Sequence, residues 1–562
     1  MSNFGVGVLE WQKNVFVCQF SNGFVLRDRL CFVKQQKAEE SSNRVSMPIF
    51  GITGSVAGAT GGFLLLVIGL GFSLLVLQAY FGPLDGFVSV KNEILGGSIA
   101  VGPFLAKNLL PVLHPILSKD SVRLGYVGLF VMLPIFSSLL IYRFLIKSMA
   151  FKSRIFSGLF ISVLILIGLS NVLNLPYLSN DIYLYQAHGQ MISQFGENPY
   201  LSTPLESIDR GHLKNVPWVN QKSPYGPAAL LGFGAICSIS SSDVVDFWLL
   251  KIVLSLPWLI LLGFMFFTQI FKREQKFFWL AWVGLNPLLV FEICQNGHLE
   301  GWLGLLLFFL CRLFLKVTQA TVVVGGILFG LACAIKLSVV VTGPVFLFFI
   351  VSHASNRRLC SWGTARLVAS FVGPAFLTLT ILYMPLWQGF QTLVGVQEEA
   401  GKTLRSLYWV CAYYLDMTPG SILVSSLIGN ICAGVFGVFI YRIRGSLTMG
   451  ILGSLLLQII FGRTFLQPWY FCTLVMIAPM LGLVVADVNN KRTTSIKLSA
   501  GDHSVVRFLL NLSICALVGG YAIPVFAGGH SSLAQAWSVI VMIVIPIITH
   551  FGFSRLVRTR HN

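Results

Sequence analysis

One polar window, residues 175–227, interrupts a chain of long apolar runs and brings carboxylate, aromatic and amide side chains together. Asp181 follows Asn180, a residue type that caps helix N-termini, and opens a stretch that predicts a helix stopped near Gly196 and Pro199. Two readings stand for Asp181. A first-turn carboxylate offsets the helix dipole. A carboxylate where a span emerges from the membrane is costly unless solvated or paired, and that points to chemistry. Tyr183, Tyr185, Trp218 and Tyr225 surround it in sequence. Their rings suit the C–H faces of sugars and equally mark a membrane interface.

A second island, Asn296-Gly297-His298-Leu299-Glu300, breaks what is otherwise one apolar run from Phe277 to Phe314. A turn needs Asn-Gly but not His298 and Glu300 as well. A lone His-x-Glu lacks the ligand count of a zinc site, so no metal is expected. Lys336 lies between two apolar runs, and Arg463 opens the segment that contains Gln467 and Tyr470. Either cation could be a snorkelling flank residue. Two cations converging on a lipid phosphate would also account for them, through charge-assisted hydrogen bonds.

The elements that must position these groups are membrane helices. The chain has 562 residues, 55% hydrophobic and only 11% charged, with a mean hydropathy of +0.79. Soluble domains carry about 25% charged residues, and runs of roughly 20 apolar residues mark membrane spans. The fold class is therefore all-α and polytopic. The net charge of +18 sits in short clusters beside the spans, which argues for loops held in the cytoplasm and against a nucleic-acid partner. The 11 cysteines are scattered, with no CxxC and no metal spacing. The first long apolar run begins near Ala57, too far in and too long for a cleaved signal, and is expected to remain as an anchor. Residues 1–56 read as a cytoplasmic extension, in which Met47 offers a second start.

About 14 spans are predicted, near 58–80, 124–145, 154–175, 247–270, 277–294, 300–316, 320–335, 337–352, 365–386, 418–441, 446–461, 469–487, 507–526 and 533–553. With the N-terminus inside, 27 of the 39 Lys and Arg residues fall on the cytoplasmic side and 12 outside, the bias that sets orientation. Residues 226–246 are apolar enough to span, but a span there would invert every later basic cluster. They are expected to form a re-entrant or interface-lying helix. The same alternation puts the 175–227 loop, the 295–300 turn, Lys336, the 387–417 loop and Arg463–Tyr470 on one outer face. The catalytic domain is expected over 57–490, followed over 491–562 by a hairpin of helices and a basic cytoplasmic tail. Loops this short, with no GxxxxGK[ST] and no GxGxxG in a strand–helix context, argue against a soluble nucleotide as donor.

Ser179-Asn180-Asp181-Ile182-Tyr183-Leu184-Tyr185, Asn198-Pro199-Tyr200, Ser223-Pro224-Tyr225-Gly226-Pro227, Asn286-Pro287 and Asn296-Gly297-His298-Leu299-Glu300 occur in an ordered set. With Lys336 and Gln467-Pro468-Trp469-Tyr470, that set resembles the polyprenol-phosphate-mannose-dependent α-mannosyltransferases of the GT-C superfamily, over roughly residues 120–490. The resemblance implies a GT-C-like fold in the inner (plasma) membrane, with interface and re-entrant helices in the outer-face loops. It also implies a polyprenyl-phosphate hexose donor and a glycan or glycolipid acceptor. Transfer would be inverting, at the outer face, with no cofactor. Asp181 would act as general base, while Lys336 and Arg463 bind the donor phosphate. Tyr183, Tyr185, Lys222, Tyr225, Asn296, His298, Glu300, Gln467 and Tyr470 would hold sugar or acceptor. A transporter or flippase of lipid-linked sugar, or a lipid-linked oligosaccharide ligase, is the alternative.

Overall fold

The computed structural model describes residues 154–173, 175–176, 179–209, 213, 216–271, 273–481, 500–526 and 531–550. The expected spans at 58–80 and 124–145, the N-terminal extension and the basic tail lie outside the described residues. Among those described, the structure is helical, and its only β features are two isolated bridges, Gln388 with Phe390 and Leu404 with Phe465.

In chain order, α1 spans Arg154–Val172, α2 Asp181–Ser193, α3 Pro227–Cys237, α4 Asp243–Phe267 and α5 Arg273–Leu285. After Pro287–Leu289 a π-helical turn, Val290–Gln295, leads into α6, Glu300–Leu313, and α7, Gln319–Ile335. A 3-10 turn, Leu337–Thr342, continues into α8, Gly343–Asn356, then α9, Ser361–Tyr383. The loop beyond holds α10, Val394–Gly401, and α11, Leu407–Leu415. The later helices include α12, Pro419–Arg444, α13, Leu447–Phe461, α14, Cys472–Ile477, α15, Ala500–Leu517, and α16, Ser532–Val539.

Among the described residues, six helices are long and apolar enough to cross a membrane, and a pair bent by 43° at Asn286, Gln275–Leu285 with Pro287–Gln295, would make a seventh if it is one span. The other expected spans among the described residues are shorter or made of two pieces. Helix α3 has 11 residues, about 16 Å of length at 1.5 Å per residue, too short for a hydrocarbon core of about 30 Å. Pro287 cannot donate to the preceding turn, and the Asn286 side chain accepts from the amides of Leu288 and Leu289 instead, so the chain breaks and restarts there.

Helix α2 begins at Asp181 as its composition predicts, but Asn180 makes no side-chain cap. Ser179 Oγ accepts from the Asp181 amide at 3.3 Å instead. The helix is held from its other end. Gln186 Nε2 donates to the Asp243 carbonyl at 2.9 Å, and Gln190 Nε2 to Asp243 Oδ1 at 2.6 Å, which ties α2 to the start of α4. Tyr183 and Tyr185 then separate by helical geometry. Residue i+4 shares the face of Asp181, whereas i+2 lies about 200° around the axis.

Candidate active site

A cavity of about 300 Å³ opens where the 175–227 loop, the break before the 3-10 turn at Leu337, the 394–405 stretch and the 463–470 segment meet. Asp181, Tyr185, Lys222, Tyr225, Lys336, Gln467 and Tyr470 all line it. Seven of the residues singled out in the sequence are therefore brought together.

Behind Asp181 stands a charged chain. His298 Nδ1 lies 3.8 Å from Asp181 Oδ2, and its Nε2 lies 3.3 Å from Glu292 Oε2. His298 and Glu292 are fully buried, while the Asp181 side chain keeps 15% of its surface exposed. Asn296 Nδ2 donates to Glu292 Oε2 at 3.0 Å. Gly297, in the left-handed region at φ 74°, turns the chain so that the His298 amide donates to the Glu292 carbonyl at 2.9 Å. Trp469 stacks on the imidazole, with centroids 4.1 Å apart and planes at 16°. Burial opposes a charge on His298, but its contact with Glu292 and the charges of Glu292, Asp181 and Glu300 outweigh it and raise its pKa. Burial raises the pKa of Asp181 above the ordinary carboxylate value, a push that the His298 and Lys336 charges oppose.

Lys336 sits in extended backbone where α7 ends, and its Nζ donates to Glu300 Oε1 at 2.7 Å. The Ser223–Pro227 segment fixes that break. The Gly226 amide donates to the Ile335 carbonyl at 3.0 Å, and a Cβ on Gly226 would come within 2.1 Å of the Ala334 carbonyl oxygen. Lys336 Nζ also lies 4.6 Å from the centroid of Tyr470, whose hydroxyl donates to Glu399 at 3.1 Å.

The other expected site residues stand off the cavity wall. Tyr183 stacks on Phe247 of α4 at 5.3 Å, on the opposite face of α2 from Asp181. Asn296, His298 and Glu300 form the layer behind Asp181 and Lys336. Arg463 lies 4.5 Å from the Tyr470 ring and is not part of the wall. Trp218, whose ring the sequence offered to a sugar, also lines the cavity; Lys402, Arg405 and Glu399 line it and Glu292 supports it, although none of these four was assigned a role from the sequence. Lys402 and Arg405 did carry a signal. Both are cations in the 387–417 loop that the charge alternation expects on the outer face, the same departure from the orientation rule that marked Lys336 and Arg463. Among the described residues, no group of three His, Cys, Asp or Glu side chains is placed to hold a metal ion.

A family model described as "Alpha-(1->6)-mannopyranosyltransferase, N-terminal domain" matches residues 86–352. Alpha-(1->6)-mannopyranosyltransferase B of Corynebacterium glutamicum is 28% identical over 281 residues, which cover 46% of this chain and 44% of that protein. Alpha-(1->6)-mannopyranosyltransferase A of Mycobacterium tuberculosis is 26% identical over 231 residues, 40% of this chain and 42% of that protein. The chain thus spans less than half the length of the curated relatives that it matches. No solved structure matches it. The matched segment carries Asp181, Glu292, His298, Glu300 and Lys336. Over residues 86–352 this chain is a homologue of the α-(1→6)-mannopyranosyltransferases, the same group to which its motifs point.

Proposed function

We propose that this chain is a membrane glycosyltransferase that moves mannose from a polyprenyl-phosphate carrier to a hydroxyl of a glycan or glycolipid. The reaction would take place at the outer face of the plasma membrane. The observation that carries the reading is Asp181, a carboxylate that reaches a cation-lined cavity with His298 and Glu292 behind it. The relatives' names support mannose as the sugar.

In this reading Asp181 takes the proton of the acceptor hydroxyl as the hydroxyl oxygen bonds to the anomeric carbon. General-base help of this kind is worth about 10²–10⁴-fold. The bond from that carbon to the phosphate oxygen breaks, and its electron pair leaves with the polyprenyl phosphate. Attack opposite the leaving group inverts the centre, so a β-linked donor gives an α-linked product. Lys336 meets the charge that grows on the phosphate, the kind of interaction that dominates many catalysed reactions. His298, held by Glu292 and Trp469, orients the Asp181 carboxylate and spreads the charge of the proton it receives. Tyr185 and Tyr225 supply ring faces to the sugar.

The test is transfer by purified protein in lipid nanodiscs, with polyprenyl-phosphate mannose and a glycolipid acceptor. Mannosylated acceptor and free polyprenyl phosphate should form in equal amounts. Activity with nucleotide-linked mannose alone, or no transfer from either donor, would overturn the reading.

A further inference from the structure

The phosphate of such a donor needs more positive charge than Lys336 supplies, because Glu300 already holds that ammonium at 2.7 Å. Arg463 does not meet the need, since its guanidinium lies against the Tyr470 ring and off the cavity wall. Arg405 does line the cavity, with only 8% of its surface exposed. Among the described residues it has no carboxylate within ion-pair distance. Its Nη1 donates to two neutral acceptors, the Gly520 carbonyl at 2.7 Å and Gln467 Oε1 at 3.3 Å, and these are the only side-chain hydrogen bonds it makes there. A buried guanidinium is costly unless an anion meets it.

Its backbone adds an independent observation. Arg405 has φ 53°, a left-handed conformation that persists in a non-glycine residue only where the surroundings hold it. Here the Gln535 side chain accepts from the Arg405 amide at 3.3 Å, and the flanking Leu404 bridges to Phe465. Lys402, in the same loop and on the same cavity, places its Nζ 3.9 Å from the Trp218 ring. Burial pulls its pKa below the ordinary lysine value, while the nearby carboxylate of Glu399 opposes that pull.

We propose that Arg405, assisted by Lys402, is the seat of the donor's phosphate, taking the part that the sequence reading gave to Arg463. The Arg405 edge not used by Gly520 and Gln467 matches two phosphate oxygens in a planar fork. It receives the charge left on the phosphate as the bond to the sugar breaks. Neither residue lies in the 86–352 segment shared with the mannosyltransferase family. The inference rests on the donor class of the proposed function.

Binding of undecaprenyl phosphate, with undecaprenol as control, is measured on the full chain in nanodiscs. The wild type should favour the phosphate. Arg405→Gln should weaken phosphate binding by about 10- to 150-fold and leave the alcohol unchanged, the usual loss for a charge-assisted contact. Arg405→Lys, which keeps the charge but loses the fork, should fall between, and Lys402→Gln should lose less. Arg463→Gln should bind like the wild type. Should Arg405→Gln fail to fold, Arg405→Lys and Lys402→Gln carry the test, and full affinity in both overturns the inference. Loss in Arg463→Gln with retention in Arg405→Gln overturns it too. Phosphate preference without mannosyl transfer in the same preparation counts against the proposed function and leaves the anion seat standing. Transfer without that preference does the reverse.

Discussion

Asp181 and His298 face each other across 3.8 Å, although 117 positions separate them in the chain. The pairing needs α2 to start at the cavity and the 290–298 stretch to fold back on itself, so a polar loop and a break between helices become one charged unit.

Replacing Asp181 by Asn keeps the shape but removes the proton acceptor. Turnover should fall by about two to four orders of magnitude, with donor binding nearly unchanged, because the lost interaction belongs to the transition state. If Asp181 only offsets the dipole of α2, the variant should instead lose about 0.3–1 kcal/mol of stability and keep its turnover. Rate and thermal stability measured on one preparation separate the two.

His298 predicts a pH dependence with a definite sign. Its pKa in the folded protein is raised above the ordinary 6.5, because Glu292, Asp181 and Glu300 surround it. The charged imidazole therefore stabilises the fold in full below about pH 6.5, and that contribution is lost as the pH rises through the higher folded value. Melting temperatures of wild type and His298→Gln should converge as the pH climbs through that window. A constant gap between them would show that His298 titrates alike in both states.

Glu300 and Lys336 form a buried pair, so removing one partner leaves a lone charge. Glu300→Gln should destabilise the protein by about 3–5 kcal/mol, and Glu300→Gln with Lys336→Met should recover much of that loss. Thermal unfolding of the single and double variants gives the coupling. Strict additivity would mean that the pair does not act as one.

Orientation is checked by labelling. Cysteines at Asn220 and Ser355, both exposed, should react from opposite sides, Asn220 with an impermeant reagent added outside and Ser355 only after permeabilisation. The exposed native Cys360 and Cys432 are first replaced by Ser. The reverse pattern would put the cavity on the cytoplasmic face, and reaction of both from outside would mean that Asn220 and Ser355 do not lie on opposite sides. Ser223 is unsuitable as a probe because it is fully buried against the Pro199 carbonyl.

The helices were legible because apolar length is a local property, and so was the cavity's first wall. Asp181 with Tyr185, and Tyr225 beside Gly226, follow from helix spacing and from one turn. Tyr183 carries the same expectation as Tyr185, but a helix sends residue i+2 to the far side, where Tyr183 stacks on Phe247. Glu300 looked like a ligand for sugar, yet its carboxylate meets Lys336, a contact between distant segments that spacing does not reveal. The charge of Arg405 in its loop was a signal, but its place at the cavity was hidden for the same reason. Nothing in its neighbourhood of sequence foretells that its guanidinium will rest on a carbonyl 115 residues away.

That last contact bears on how the cavity is assembled. The Gly520 carbonyl and the Gln535 side chain follow Arg405 by 115 and 130 positions, and both hold it in place. A chain inserted through residue 481 already carries Asp181, His298, Glu292 and Lys336, but Arg405 then has only its Gln467 contact and the flanking Leu404–Phe465 bridge to hold it. The Arg405 side of the cavity is therefore completed only once residues 520–535 are in place, and a product terminated before them leaves that guanidinium without two of its braces.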